Sequence, residues 1–209
     1  MNPVSVVSLG PGDPDSLTLG AWKALRQADC IFCPAVSGGS EESPVSRAKD
    51  ILLQSGIDPH RIRCFHLPMN PDRRPAAAVY DAVADEVQSL TAACRVAITA
   101  EGDAGIYSSV HYVADRLAER GVPLRYLAGV PSFVAAASMA GLHLVRGNEP
   151  LTVLPRLSDP AVLEELLDAG HRVVVMKLPQ SEAVLREAIG RRPGASWHYF
   201  EQVGTAEAL

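Results

Sequence analysis

The sequence predicts an α/β protein with a mostly parallel sheet and helices on both faces. Short apolar, β-branched runs alternate along the chain with segments of helical periodicity. Each strand-like run passes through a turn into a helix, which is the order that parallel strands joined by crossover helices require. The rhythm changes near Leu124. We therefore expect two domains, an N-terminal α/β domain over 1–123 and a smaller C-terminal α/β domain with a mixed sheet over 124–209.

The first domain takes its elements from residues 3–120. Apolar, β-branched composition predicts strands at Pro3–Leu9, Cys30–Pro34, Ile62–Leu67 and Arg95–Ala100. Periodicity near 3.6 predicts a helix with apolar positions from Leu17 to Ala28, and helices at Ser46–Gln54, Ala76–Leu90 and Tyr107–Arg120. Gly121 and Pro123 end the last of these helices. Between the elements, Ser37–Ser46 has the composition of a mobile loop, and loops of this kind often cover a site.

The second domain has fewer elements. A helix of small residues is predicted at Phe133–Ala140. The remaining predicted elements are a strand in Glu149–Pro155, a helix at Asp159–Ala169, a strand at Arg172–Lys177 and a helix at Ser181–Ile189. The apolar and aromatic run Trp197–Val203 predicts one more strand.

Composition excludes several classes of function. The 209 residues are 47% hydrophobic and 21% charged, as in an ordinary globular protein. The net charge of -5 argues against a broad surface for nucleic acid or anionic membrane. No apolar run approaches the roughly 20 residues of a membrane span, and the N-terminus has no basic segment followed by an apolar one. We therefore expect a cytoplasmic protein that binds neither nucleic acid nor membrane.

The four cysteines do not form a disulfide pattern for a chain of this length. Cys30 and Cys33 have the CxxC spacing, but both fall on a predicted strand. Residues three apart on a strand point to opposite faces, so these thiols would not hold one metal ion. We expect buried structural thiols and no metal site.

The first strand ends in the turn "GPGDPDSLTL", Gly10–Leu19. A glycine-rich turn between a strand and a helix is typical of phosphate sites, but the third glycine of the dinucleotide fingerprint is replaced by Asp15 and no Walker pattern is present. Asp13 and Asp15 would repel a pyrophosphate at the start of the helix. Asp15 is expected to cap a helix that begins near Ser16, which leaves the role of Asp13 open.

A second Gly-Asp turn, "EGDAGIYSS" at Glu101–Ser109, again joins a strand to a helix. In open α/β sheets, ligands lie outside the carboxyl ends of the strands. Two acidic turns at one such edge indicate a ligand that carries hydroxyls, amines or a positive centre and no phosphate.

Five motifs together resemble a known family. They are "SLGPGDPDSLTL" (Ser8–Leu19), "LPMNPD" (Leu67–Asp72), "EGDAGIYSSVHY" (Glu101–Tyr112), "AGVPSFVAAASMAGLHLVRGNEPLTVLP" (Ala128–Pro155) and "VVVMKL" (Val173–Leu178). With these motifs, in this order over nearly the whole chain, the sequence resembles the tetrapyrrole (corrin/porphyrin) methyltransferases, and among them the precorrin-2 C20 subgroup. It departs from the family's Gly-Asp-Pro at one position, which is Ala104 here.

The resemblance implies S-adenosylmethionine as cofactor and an active site in the cleft between the two domains. That cofactor has no phosphate, in agreement with the acidic turns. By the resemblance, the pocket would be lined by Pro11, Gly102, Asp103, Ile106, Ser132 and Met176. Plain core packing is the alternative for Ile106 and Met176, and a half-buried helix position is the alternative to a place in the cleft for Tyr107.

The reaction implied is transfer of the methyl group to the C20 meso carbon of precorrin-2 or cobalt-precorrin-2 in cobalamin biosynthesis. Such a transfer needs alignment and a dry pocket more than a protein nucleophile. No residue has the spacing that identifies a base for the proton on C20, so no catalytic residue is named. Arg73, Arg74 and Arg146 are candidates for binding the substrate carboxylates. A homodimer is the assembly usual in the family.

Two alternatives stay open. One is a different substrate within the family: another corrin position, a uroporphyrinogen, or the diphthamide or ribosomal RNA of related methylases, of which the acidic charge disfavours RNA. Family members usually continue for some tens of residues beyond the position of Leu209, and their tail completes the second sheet and part of the adenosine pocket. The chain is thus expected to be either a shortened member or a piece of a longer one, and the second alternative is a non-catalytic homologue that binds cofactor or tetrapyrrole.

Overall fold

A computed structural model describes residues 1–36, 45–68 and 74–208. The chain divides into two compact units, one formed by Met1–Ser132 with Gln202–Glu207 and the other by Phe133–Glu201. Most of the predicted loop at Ser37–Ser46, and Arg73, lie outside the described residues.

The first unit contains a five-stranded parallel sheet. Its strands are β1 (Val4–Ser8), β2 (Cys30–Val36), β3 (Ile62–Leu67), β4 (Val96–Ala100) and β5 (Leu124–Leu127), in the order β3-β2-β4-β1-β5. Its helices are α1 (Leu19–Gln27), α2 (Arg47–Gln54), α3 (Arg74–Leu90) and α4 (His111–Glu119). Because every strand pair is parallel, all the carboxyl ends lie at one edge, as the βα rhythm of the sequence predicted.

Each face of this sheet carries its own apolar core. Side chains of α3 and α4 pack on one face around Phe32 and Ile98, and side chains of α1 and α2 pack on the other around Leu25 and Ile31. The prediction of helices on both faces is therefore confirmed. Cys30 lies in the first core and Cys33 in the second, which also confirms that the CxxC thiols point to opposite faces.

Two features of the first unit differ from the prediction. β5 (Leu124–Leu127) pairs with β1, although the domain boundary was expected at its first residue; Arg125 and Tyr126 are exposed, so this short edge strand has little of the apolar pattern that marks the others. Helix α4 begins at His111 and not at Tyr107, because Tyr107 has a left-handed backbone with φ of 48° that no α-helix continues through.

The start of α1 is a third difference from the prediction. The helix begins at Leu19, and its N-cap is Thr18, whose hydroxyl accepts a hydrogen bond from the Ala21 N–H at 3.2 Å. Asp15 lies earlier, within a short 3-10 turn at Pro14–Ser16, so it does not cap α1. The helix starts later than predicted because Thr18 offers a capping oxygen one residue before the apolar face begins.

The second unit has a two-stranded parallel sheet. β6 (Leu151–Leu154) pairs with β7 (Arg172–Val175), and α6 (Pro160–Asp168) and α7 (Glu182–Arg191) pack around Leu157 and Leu163. Helix α5 (Ser132–Met139) precedes them. In the described residues this sheet is parallel, where a mixed sheet was expected.

The strand expected at Trp197–Val203 is not formed. The segment makes no ladder with β6 or β7, and Trp197 instead packs on the core of the second unit while its indole Nε1–H donates to the Arg192 carbonyl at 3.3 Å. The Trp197 side chain thus contributes to this core and not to a strand pair. Among the described residues, no helix is both long and apolar enough to cross a lipid bilayer.

Candidate functional site

Three turns meet at the carboxyl edge of the large sheet. They follow β4, β1 and β5, which are neighbours in the sheet, and they are residues 101–105, 9–13 and 128–131. This edge is where ligands bind in open parallel sheets. The two acidic turns of the sequence are therefore adjacent in space.

The turns after β1 and β4 are joined backbone to backbone. The Gly10 N–H donates to the Gly102 carbonyl at 3.1 Å, and the Gly102 N–H donates to the Gly10 carbonyl at 2.7 Å. Both glycines have left-handed backbones, with φ of 75° and 68°. Residues that carry a side chain rarely adopt this backbone conformation, which explains why glycine occupies both positions. The Ser8 hydroxyl adds a third link by accepting the Ala104 N–H at 2.9 Å.

Asp103 connects the β4 turn to the β5 turn. One carboxylate oxygen accepts the Gly105 N–H of its own turn at 2.8 Å, and the other accepts the Gly129 N–H at 2.7 Å. Capping within the β4 turn therefore accounts for one oxygen, and the second holds a segment 26 residues away in the chain. The side chain is half-buried. Asp103 is thus a positioning residue that holds two of the three turns together.

The β5 turn approaches the other two so closely that only glycine fits at residue 129. A Cβ on Gly129 would stand 2.4 Å from the Ser8 Cβ and 2.7 Å from the Gly102 carbonyl oxygen. The same turn is tied to the start of α1, because the Thr18 hydroxyl donates to the Ala128 carbonyl at 3.0 Å. Direct contact of the three turns therefore depends on the absence of a side chain at one residue.

A segment near the end of the chain packs on the β1 turn. Residues 202–207 belong to the first unit, and a Cβ on Gly12 would lie 2.9 Å from the Gly204 carbonyl oxygen. A Cβ on Gly204 would in turn lie 2.8 Å from the Asp13 nitrogen. The two backbones thus touch without intervening side chains, and residues 202–207 become part of the surroundings of the turn.

The acids at this edge have different surroundings. Asp13 accepts the Asp15 N–H at 2.8 Å and so caps the 3-10 turn, which answers the question that its position in the sequence raises. Burial raises the pKa of the Glu101 carboxyl above its ordinary value, the Asp50 charge adds to that rise, and the Arg47 charge partly offsets it. Glu101 directly follows the last residue of β4, and the residue as a whole is exposed.

The structure brings most of the predicted cofactor residues to this edge. Pro11, Gly102 and Asp103 lie in the two bridged turns, Ile106 follows Asp103 by three residues and donates its N–H to the Asp103 carbonyl at 3.1 Å, and Ser132 begins α5 just after the β5 turn. Pro11 is buried, and Ile106 is 38% exposed. Met176, the sixth, follows β7 in the second unit.

Four contacting residues were missed from the sequence. They are Ser8, Thr18, Gly129 and Gly204. Gly129 lies within one of the family motifs, but only its close contact with Ser8 and Gly102 explains why this residue is a glycine. Nothing local in the sequence marks Gly204 as a neighbour of Gly12.

The chemistry of this edge is that of a polar backbone cradle. The described residues hold no group of three or more His, Cys, Asp and Glu side chains that could bind a metal ion, and the acids disfavour a phosphate. A Cβ on Gly102 would meet no described atom within 4 Å, so space is open beside this glycine. The edge thus fits a ligand that contacts main-chain groups and carries no phosphate.

Comparison with known proteins identifies the family. The family model described as Tetrapyrrole (Corrin/Porphyrin) Methylases matches residues 3–208. The chain belongs to the tetrapyrrole methylase family. A probable cobalt-precorrin-2 C(20)-methyltransferase of Methanocaldococcus jannaschii is 32% identical over 171 residues, which are 82% of this chain and 70% of that protein. The precorrin-2 C(20)-methyltransferase of a Sinorhizobium species is 32% identical over 193 residues, 88% of this chain and 76% of its own.

This tetrapyrrole methylase also has the fold of its family. The uroporphyrin-III C-methyl transferase of Thermus thermophilus, solved with S-adenosylhomocysteine, matches with a TM-score of 0.63 at 17% identity and covers all of this chain and 86% of its own. These findings confirm the α/β fold with a mostly parallel sheet and the recognition of a methyltransferase similar to the precorrin-2 C20 enzymes.

Proposed function

We propose that this tetrapyrrole methylase transfers the methyl group of S-adenosylmethionine to C20 of precorrin-2 or cobalt-precorrin-2 in the biosynthesis of cobalamin. The observation that carries the proposal is the pair of C20-methyltransferases that are each 32% identical over more than four fifths of the chain. The phosphate-excluding edge of the large sheet supports it, since the cofactor is a sulfonium without phosphate.

We propose that the cofactor pocket at the edge of the large sheet includes Pro11, Gly102, Asp103, Ile106 and Ser132, and we propose Met176 as a further cofactor contact. When bound, S-adenosylmethionine supplies an electrophilic methyl carbon. Open space beside Gly102 leaves room for a ligand against the backbone, and the left-handed φ of this residue keeps side chains out of that space. Asp103 acts by holding the Gly129 N–H and the Gly105 N–H in place.

In this reaction the residues of the protein bind and orient the cofactor and the substrate, and they do not act as nucleophiles. Two backbone hydrogen bonds join the turns after β1 and β4, and the Asp103 carboxylate ties the turn after β5 to them, so the three turns are held together before a ligand binds. Arg74 begins α3 and Arg146 is exposed in the second unit, and we propose that both contact carboxylates of the tetrapyrrole. We also propose that the protein acts as a homodimer in the cytoplasm.

The test uses the full chain in two steps. Calorimetric titration with S-adenosylhomocysteine should show one site per chain, and a folded protein that does not bind it would overturn the proposal. Precorrin-2, cobalt-precorrin-2 and uroporphyrinogen III are then each incubated with ¹³C-methyl cofactor. We expect one added methyl, placed on C20 by NMR, on one or both of the first two; a methyl on another carbon, or on uroporphyrinogen III alone, contradicts the C20 assignment.

A further inference from the structure

Two cysteines from neighbouring strands of the first unit are in contact. The Sγ atoms of Cys33 and Cys64 are 3.3 Å apart, and the two residues are register partners in the parallel pair β2 and β3. Both thiols are free. No local sequence pattern marks the pair, because 31 positions separate the two residues.

The two thiols differ in their surroundings. Cys33 is completely buried beside α2, and burial, followed by the contact with Cys64, raises the pKa of its thiol to about 12. The Ser46 hydroxyl, which donates to the Pro34 carbonyl at 2.6 Å, lies 3.8 Å from the Cys33 sulfur. Cys64 is only half-buried. A reagent from solvent therefore reaches Cys64 first, while Cys33 stands behind it as a protonated thiol.

The strands permit a covalent bond between the pair. Neighbouring strands lie about 4.7–4.9 Å apart, which is inside the range of about 4.4–6.8 Å for the Cα atoms of a disulfide. Within the described residues, β3 is an edge strand that pairs with β2 alone, so its side chains can shift without disturbing a second strand. Cys30 is excluded as a partner because it lies on the other face of the sheet.

We propose that Cys33 and Cys64 are an oxidation site at which a hydroperoxide makes an intramolecular disulfide between β2 and β3. The Cys64 sulfur attacks the peroxide, an S–O bond forms as the O–O bond breaks, and one water leaves. The Cys33 sulfur then attacks the Cys64 sulfur, the S–S bond forms as the S–O bond breaks, and the oxygen leaves with the Cys33 proton as a second water. Two thiols lose two electrons, and one hydrogen peroxide becomes two waters.

The test treats the full chain with hydrogen peroxide and reads the intact mass and the peptide map. Wild type should lose about 2 Da, reversibly with dithiothreitol, and yield a peptide pair linked through Cys33 and Cys64. Cys94→Ser is the matched control and should give the same linked pair. Cys64→Ser should not lose this mass, and in Cys33→Ala the Cys64 thiol should gain about 32 Da as a sulfinic acid, because no neighbouring thiol intercepts the first product.

Two results would overturn the inference. One is wild-type protein in which Cys64 takes up oxygen and no 33–64 linked peptide forms; the other is wild-type protein in which both thiols survive a peroxide dose that oxidises Cys64 in the Cys33→Ala variant. If that variant does not fold, the peptide map of the wild type and of Cys94→Ser decides alone. These readouts involve no methyl transfer, so the inference stands or falls separately from the proposed function.

Discussion

One carboxylate holds two turns together at the edge of the large sheet. Both oxygens of Asp103 accept backbone N–H groups, one within its own turn and one from Gly129. Asp58 provides a comparison, because among the described residues its carboxylate accepts the His60 N–H two residues on, at 2.9 Å, and makes no contact with a distant segment. Each acid accepts the N–H of the residue two positions on in its own turn. Of the two, Asp103 also holds a distant segment.

Replacing Asp103 should therefore affect binding as well as stability. In Asp103→Ala, two backbone N–H groups lose a charged acceptor, and each such bond is worth about 1.5–3 kcal/mol. We expect a lower unfolding midpoint and at least a tenfold weaker affinity for S-adenosylhomocysteine by calorimetry, since about 1.4 kcal/mol is a factor of ten. The control Asp58→Ala should lower the midpoint slightly and leave the affinity unchanged. Wild-type affinity in Asp103→Ala would remove the residue from the site.

At the scale of elements, the important contact is between the turn after β5 and the ends of β1 and β4. Gly129 is pressed against Ser8 and Gly102, whereas Gly20 in α1 has only an ordinary contact, 3.7 Å from a Cβ to the Leu127 Cδ1 atom. Both glycines lie in the first unit and neither has a left-handed φ. The pair therefore separates steric fit from the general effect of adding a methyl group.

We expect only the first of these two substitutions to lower the free energy of unfolding. Gly129→Ala forces β5 away from β1 and should cost about 1–3 kcal/mol, as overpacking of a core does. Gly20→Ala should be neutral or should raise the free energy of unfolding by about 0.5–1 kcal/mol, because alanine favours the helix. Urea unfolding followed by circular dichroism measures both. Equal effects at the two positions would mean that the turn tolerates a side chain.

Element predictions succeeded where the pattern is local and failed where it is not. β1 and β4 read as apolar runs because both faces of these strands are buried, with no exposed residue in either. β5 has four residues and two of them are exposed, so it carries too little pattern to be assigned to the first sheet from the sequence. The run at Trp197–Val203 has strand composition without a strand to pair with, and composition alone does not reveal that.

At the scale of the whole chain, residues 202–207 return to the β1 turn across about 190 positions of sequence. Gly204 has a φ of 81° and no room for a side chain against Asp13 and Gly12. Gly170 has the same φ, and a Cβ there would meet no described atom within 4 Å. A side chain at either glycine would strain the backbone to the same extent. Only at Gly204 would it also collide with another segment.

Comparison of Gly204→Ala with Gly170→Ala isolates this contact. In each variant the free energy of unfolding should fall by about 1–2 kcal/mol, because alanine is strained in a left-handed backbone conformation. Gly204→Ala should also push residues 202–207 off the turn, which exposes the Gly12 and Asp13 amides to hydrogen exchange and weakens affinity for S-adenosylhomocysteine several-fold. Gly170→Ala should leave the hydrogen exchange of these amides and the affinity at wild-type values. Identical exchange and affinity in the two variants would show that the segment does not support the turn.

The sequence by itself determined the α/β class, the parallel sheet with helices on two faces and the family, and it predicts that the first turn binds no phosphate. These follow from periodicity, from charges a few residues apart and from motifs, all of which are local along the chain. Only the tertiary structure decided that Asp103 holds Gly129, that Gly204 covers Gly12 and that Cys64 meets Cys33. Those pairs are 26 to 192 positions apart, and a contact at such separation depends on strand order and close packing, which no local pattern of residue types specifies.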